Sequence, residues 1–248
     1  MKSFIIAAAI GAAFSASAVA AEIKVLSAGA VEAGLMHAAE AFKKASGTEV
    51  KIQYNTAPQI AKKLADGETA DVLIAPPGLL DEQVKANKAA ADGRVMLGRV
   101  GAGVMVRAGA TAPNIATTEA LKQALLGADS IVYNTASSGQ YIAKMIGNLG
   151  IAEQVKAKTT LYPDAAAVVT HVAKGKGNEI GFSPVPEIKM SEPKGVKLVG
   201  PLPADIQNYT SYGASLMTAS ASQDAAKAFL AYLATPAAKQ ALKSAGIE

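Results

Sequence analysis

The chain has 248 residues, a formal net charge of +4, half of its residues hydrophobic, no cysteine, no tryptophan and two histidines. Without cysteine there is no disulfide framework, no thiolate nucleophile and no lipid-modified cysteine anchor. The lysines are spread along the chain, with no basic, aromatic-interleaved patch, and this argues against nucleic acid as a partner.

Residues 1–20 read as a secretory leader. Lys2 supplies the positive start, Phe4 to Phe14 the apolar core, and Ala18-Val19-Ala20 a small-residue cleavage site before Ala21. That core is too short to cross a membrane, and no later stretch is long enough, so the expectation is release into a periplasm. Lys24 to Gly47 then forms a strand, a loop of small residues and an amphipathic helix. Leu35, Ala38, Ala39 and Phe42 share one helix face, while Ser27-Ala28-Gly29-Ala30 leaves the helix start open. A helix start carries N–H groups without intrahelical partners and partial positive charge. Small residues there let an anion reach the backbone.

The unit repeats. Thr48 to Tyr54 alternates as a second strand, and Asn55-Thr56-Ala57-Pro58 reads as an N-cap with proline in the first turn. Asp71 to Ala75 has the composition of a strand buried on both faces. Val95 to Val106, interrupted by Gly98, Gly101 and Gly103, reads as extended chain that bends or crosses between lobes.

A second α/β region follows, with a helix from Thr117 to Gly127 and a strand at Ser130 to Tyr133. Asn134-Thr135-Ala136-Ser137-Ser138-Gly139 is the most polar loop before a helix, open to two readings: ligand contact or plain capping. Asp164 opens another helix ahead of Ala165 and Ala166 and reads first as its N-cap. Ile180 to Ser183 is a strand whose end, Ser183-Pro184, faces the same cleft in a sheet of this type. Val196 to Val199 is a strand, Tyr209 to Ala219 a return crossing, and two helices close the chain, the first capped by Ser222 and the second begun by Thr235-Pro236.

Catalytic constellations are missing from the sequence. His37 and His171 read as solvated surface residues, and there is no H-E-x-x-H, G-x-S-x-G, Walker loop or Cys/His cluster. Asp66, Asp71, Asp81 and Glu82 follow surface helix ends and a strand start. The three arginines, Arg94, Arg99 and Arg107, lie outside the candidate loops, so an anionic ligand would be held by neutral donors.

The element order, the segment Gly67 to Ala75 (Gly-Glu-Thr-Ala-Asp-Val-Leu-Ile-Ala) and the tail from Ser222 to Ala238 carry a resemblance. Over essentially all of its length beyond the leader, the chain resembles the periplasmic solute-binding proteins of ABC importers, in the molybdate-binding-protein-like group. The resemblance implies an α/β, type II two-lobed fold, each lobe a mostly parallel sheet flanked by helices. Lobe 1 is expected at 21–104 plus 209–248 and lobe 2 at 105–208. It implies ligand contacts at Ala30, at Thr56 or Ala57, at Ser138, at Ala165 or Ala166, and at Pro184. Where Ala30 and Pro184 stand the family has serine and tyrosine, so two hydroxyl donors are lost unless Ser27, Thr56, Ser137 and Ser183 replace them. A missing partner costs a buried oxyanion about 1–3 kcal/mol.

The function expected is non-enzymatic capture of a small molybdate- or tungstate-like oxyanion and delivery to a membrane permease, by a monomer without cofactor or metal. The ligand set expected is Ser27, Gly29, Ala30, Asn55, Thr56, Ala57, Ser137, Ser138, Gly139, Asp164, Ala165, Ala166, Ser183 and Pro184. An organic acid or other small solute in the same role is the alternative; a periplasmic hydrolase or sensor domain is a third reading.

Overall fold

The computed structural model describes residues 21–248, so the leader expected at 1–20 lies outside the described residues. The first elements are β1 (Glu22–Ala28), α1 (Glu32–Ser46), β2 (Glu49–Asn55), α2 (Ala57–Ala65), β3 (Val72–Ala75) and α3 (Pro77–Lys85). The long strand β4 (Val95–Arg107) leads to α4 (Thr118–Gly127), β5 (Ser130–Asn134), α5 (Ser137–Asn148), α6 (Ala152–Val155) and β6 (Thr159–Tyr162). The chain continues through α7 (Ala165–Lys174), β7 (Glu179–Pro184), α8 (Val185–Ser191), β8 (Val196–Pro201), β9 (Tyr209–Leu216), α9 (Gln223–Leu233) and α10 (Pro236–Ser244).

The strands run in the order β2-β1-β3-β9-β4-β7-β5-β6, with β8 also on β4. β1 pairs in parallel with β2 (Val25 opposite Ile52) and with β3 (Leu26 opposite Leu73). β5 pairs in parallel with β6 and β7 (Tyr133 opposite Leu161, Ile131 opposite Ile180). Between these parallel sets, β4 and β9 run antiparallel (Val100 opposite Thr210), and the rest of β4 pairs with β7 and β8. β4 is thus common to both halves of the sheet, which accounts for an apolar, glycine-interrupted stretch of this length.

Both faces of each half are covered, as the apolar runs of β3 and β7 require. In the first half, α1, α9 and α10 close one face, where Phe42 meets Phe229 and Tyr232 with ring centroids 5.1 and 5.4 Å apart. Ile60, Leu64, Leu73 and Leu80 fill the other face. In the second half, Leu121, Ile142 and Phe182 lie on one side, and Val132, Val168, Val172 and Ile188 on the other.

The structure departs from the sequence expectations at several places. β6 is an unexpected strand: only two of its four residues are even partly buried, so no apolar run marks this edge. α8 is an unexpected helix, because Pro184 and Pro186 look like a break. Proline in a first turn is compatible with a helix start, and here Pro186 sits there. α5 starts at Ser137, inside the expected loop. Ser222 occupies the N-cap position of α9, but its Oγ donates to Glu22 O at 3.0 Å instead of capping. Asp71, by contrast, stands buried at the start of β3 as expected, where it accepts from Lys24 N–H, Ser220 Oγ and Ser222 N–H. His171 is half-buried between Ser130 Oγ (2.9 Å from Nε2) and Tyr162 OH (2.8 Å from Nδ1), pinning α7 to β5 and β6.

Candidate functional site

Parallel strands deliver their carboxyl ends, and the helices that follow, to one edge of a sheet. Here the ends of β1, β2 and β3 in one half and of β5, β6 and β7 in the other border a cleft of about 260 Å³. That is many times the ~10–15 Å³ needed to hold one water, room for a multi-atom ligand.

Each junction is built by local chemistry. After β1, Gly29–Val31 makes one tight helical turn before α1. Thr56 precedes α2 and its N–H donates to Gln59 Oε1 at 2.8 Å, while Pro58 fixes the first turn. Asn134 Oδ1 accepts from Ala136 N–H at 2.9 Å, folding β5 into α5. Asp164 Oδ1 accepts from Ala167 N–H at 2.9 Å, so Asp164 is the N-cap of α7. The Ala165 and Ala166 N–H groups have no intrahelical partner. Ala30, Ala57, Ser138 and Ala165 therefore bring the starts of α1, α2, α5 and α7 to one space.

Of the fourteen residues expected at the site, eleven border the cleft: Gly29, Ala30, Asn55, Thr56, Ala57, Ser137, Ser138, Asp164, Ala165, Ala166 and Pro184. Ser27, Gly139 and Ser183 stand behind it. The buried Ser27 Oγ donates to Ala28 O at 3.1 Å, and the buried Ser183 Oγ to Glu187 Oε2 at 2.7 Å. Those two hydroxyls are occupied, leaving Thr56 and Ser137 as the cleft-bordering hydroxyls among the proposed replacements. Gly139 packs so closely that a Cβ there would lie 1.6 Å from Asn134 O, which only glycine permits.

Further residues at the cleft lie outside the expected set: Glu32, Tyr54, Gln59, Glu187, Lys194 and Tyr212. Tyr54 OH and Asn55 Nδ2 are both buried from solvent with no hydrogen-bond partner. Such orphaned donors cost about 1–3 kcal/mol each unless something accepts from them. Burial, followed by the nearby Glu32 carboxylate, pushes the Tyr54 hydroxyl well above its ordinary range, so it stays protonated and a donor. Tyr212 is raised in the same way by burial and by Glu187.

Three carboxylates border the cleft, Glu32, Asp164 and Glu187, with one ammonium, Lys194. Burial raises Glu32, opposed by Lys194. Burial raises Glu187 to about 7, with Ser183 opposing and Glu32 and Asp164 adding to the rise. Tyr54 has a legible signal, as the last inward residue of an alternating strand immediately before Asn55, whereas Glu187, in a helix hidden by its flanking prolines, has none. Among the described residues, no group of three or more His, Asp and Glu side chains could hold a metal ion.

Residues 23–248 match the family described as bacterial extracellular solute-binding protein. The chain belongs to that family. A relative from a Pseudomonas species described as aconitate isomerase is 32% identical over 232 residues, covering 91% of this chain and 87% of the relative. Among solved structures, the periplasmic molybdate-binding protein of Azotobacter vinelandii superposes with a TM-score of 0.75 at 17% identity, covering 91% of this chain and 98% of the other. The sulfate-binding protein SubI of Mycobacterium tuberculosis gives 0.71 at 21% identity, covering 92% and 86%. At these identities the structural likeness is one of fold, and that fold is the two-lobed one of periplasmic binding proteins. For a solute-binding protein the family implies a small ligand and partnership with an ABC permease.

Proposed function

We propose that this solute-binding protein is the periplasmic capture component of an ABC importer for a small anion. It is exported through a leader cleaved after Ala20 and acts as a monomer. Its two lobes, 21–104 plus 209–248 and 105–208, meet around the ligand, which is then handed to an inner-membrane permease without chemical change.

The observation that carries this reading is the pair of orphaned donors, Tyr54 OH and Asn55 Nδ2, beside the starts of α1, α2, α5 and α7. A ligand whose surface offers only acceptors satisfies the hydroxyl, the amide and the free backbone N–H groups together. An oxyanion of the molybdate or tungstate kind has this chemistry, and so does a carboxylate. Alanine at position 30, proline at 184 and the occupied hydroxyls of Ser27 and Ser183 favour the carboxylate of an organic acid over a tetrahedral oxyanion.

Thermal unfolding of the mature protein with molybdate, tungstate, sulfate, cis-aconitate or trans-aconitate tests this. A ligand at ~100 times its dissociation constant adds about 2.7 kcal/mol, a rise of roughly 5–10 °C for a chain of this size. A rise with molybdate and tungstate alone selects the oxyanion, and a rise with the aconitates alone selects the organic acid. No rise with any of them rejects anion capture in this cleft.

A second reading is isomerisation of an unsaturated organic acid. One observation favours it: Glu187, raised to about 7, has the proton affinity suited to a general base near neutral pH. The carboxylate would remove an allylic proton from the bound acid and return it at the other end of the shifted double bond. Proton NMR of cis-aconitate in D₂O with the protein decides: deuterium incorporation and trans product, both lost in Glu187→Gln, support the isomerase. An unchanged spectrum supports capture alone.

A further inference from the structure

Glu187 occupies an unusual position for a carboxylate in an anion cleft. It projects from α8 in the second half of the sheet, and its Oε1 lies against Gly29, the first turn after β1 in the first half. A Cβ on Gly29 would sit only 3.2 Å from that oxygen. Its other oxygen, Oε2, accepts from Ser183 Oγ. α8 packs directly on α1 and on the Gly29–Val31 turn, so Glu187 spans the seam where the two halves meet over the cleft.

The groups that face it carry more negative charge than the cleft's one ammonium can balance. Glu32 approaches from α1, Asp164 from the start of α7 and Tyr212 from β9, while Lys194 and, from β2, Tyr54 lie on the side of Glu32. Bringing an anion in among ionised carboxylates meets like-charge repulsion in a desolvated site. A neutral carboxylic acid removes one repulsion and supplies an O–H donor in its place.

We propose that anion capture is coupled to protonation of Glu187: in the loaded cleft Glu187 is a neutral acid whose O–H donates to an oxygen of the ligand. This rests on the anion-capture reading above. The carboxylate takes up one proton from solvent, the ligand stays chemically unchanged, and the Oε2 bond from Ser183 leaves Oε1 as the oxygen turned toward the β1 turn and the ligand. Because the free group titrates near neutrality, the coupling operates in the physiological range. Proton uptake on binding therefore rises toward one as the pH climbs past neutrality.

The test is isothermal calorimetry with molybdate, sulfate and trans-aconitate as probes, on wild type and Glu187→Gln, from pH 6 to 9 in buffers of differing ionisation enthalpy. A melting curve recorded for each protein verifies that the variant is folded before it is titrated. In the wild type, the association constant for a bound probe levels off toward the acid end and falls toward the alkaline end with a slope approaching about tenfold per pH unit, as proton uptake approaches one. In Glu187→Gln, affinity is flat over the range and exceeds that of the wild type at pH 8.5. Binding that is pH-independent in the wild type, or a slope that persists in the variant, overturns the coupling while leaving anion capture intact. No binding of any probe at any pH removes the capture reading and the coupling with it.

Discussion

Ser183 Oγ donates to Glu187 Oε2 at 2.7 Å, tying the end of β7 to the first turns of α8 at the cleft. The bond favours the ionised form, but burial outweighs it and Glu187 is raised from 4.5 to about 7. A carboxyl raised in the fold binds protons more tightly folded than unfolded. Its favourable contribution is fully present below about pH 4.5 and is lost as pH rises through about 7. A shift of this size corresponds to ~3 kcal/mol if fully desolvated, and exposure to the cleft reduces it to roughly 1–2. Urea unfolding at pH 5 and pH 8 should show Glu187→Gln gaining that much on the wild type at the higher pH. A constant gap between the two proteins would contradict the assignment.

Tyr54→Phe removes a hydroxyl that no protein group satisfies. The ligand-free variant should be as stable as the wild type, or more stable by up to about 1 kcal/mol, because an orphaned buried donor is gone. Its affinity for the bound anion should fall by roughly 10–150-fold, since a hydrogen bond to a charged partner is worth about 1.5–3 kcal/mol. Unfolding curves and calorimetric titration together separate the two effects. A variant that loses stability but keeps affinity would show that the hydroxyl serves the fold.

Gly139→Ala should be among the most damaging single changes outside the large core residues. Its Cβ would fall 1.6 Å from Asn134 O, so α5 has to shift away from the end of β5. Overpacking of this kind costs about 1–3 kcal/mol or more. Thermal unfolding should show a drop of several degrees, accompanied by weaker anion binding, because Ser137 and Ser138 move with the helix.

Asp71 works in the opposite sense to Glu187. Burial raises its carboxyl, but hydrogen bonds from Lys24 N–H, Ser220 Oγ and the Ser222 segment outweigh that and hold it below the usual carboxylate value. The stability it contributes is present above the ordinary carboxylate range and is lost as pH falls below it. Asp71→Asn should be destabilised by roughly 1–2 kcal/mol at neutral pH. The gap to the wild type should close as the pH falls through and below the ordinary carboxylate range in circular-dichroism unfolding experiments.

Much of the fold is legible because parallel strands in a covered sheet are near-continuous apolar runs. Val72–Ala75 and Ile180–Ser183 can be read directly, and the glycines of β4 mark a strand shared between halves. β6 escapes because an edge strand with exposed Thr160 and Leu161 has no such run. α8 escapes because its prolines mimic a break. With α8 goes Glu187, whose character comes from burial against Gly29 and the approach of Glu32 and Asp164, and none of that is written in local sequence. His171 shows the same limit. Its helix position suggests solvent, whereas its partners Ser130 and Tyr162 come from other elements.

β4 has two irregular rungs, one opposite β9 between Met96 and Gly98 and one opposite β8 between Val104 and Met105. At the first, Gly98 has φ 138° and no room for a side chain, because a Cβ would lie 2.6 Å from Glu248 O. The halves of the molecule are therefore joined by a hydrogen-bonded strand pair, β4 and β9, instead of by slack chain. Such a ribbon resists sliding and yields to twist, most readily where its ladder is already interrupted. The link is built like a torsion bar whose softest point is its one interrupted rung, at Gly98.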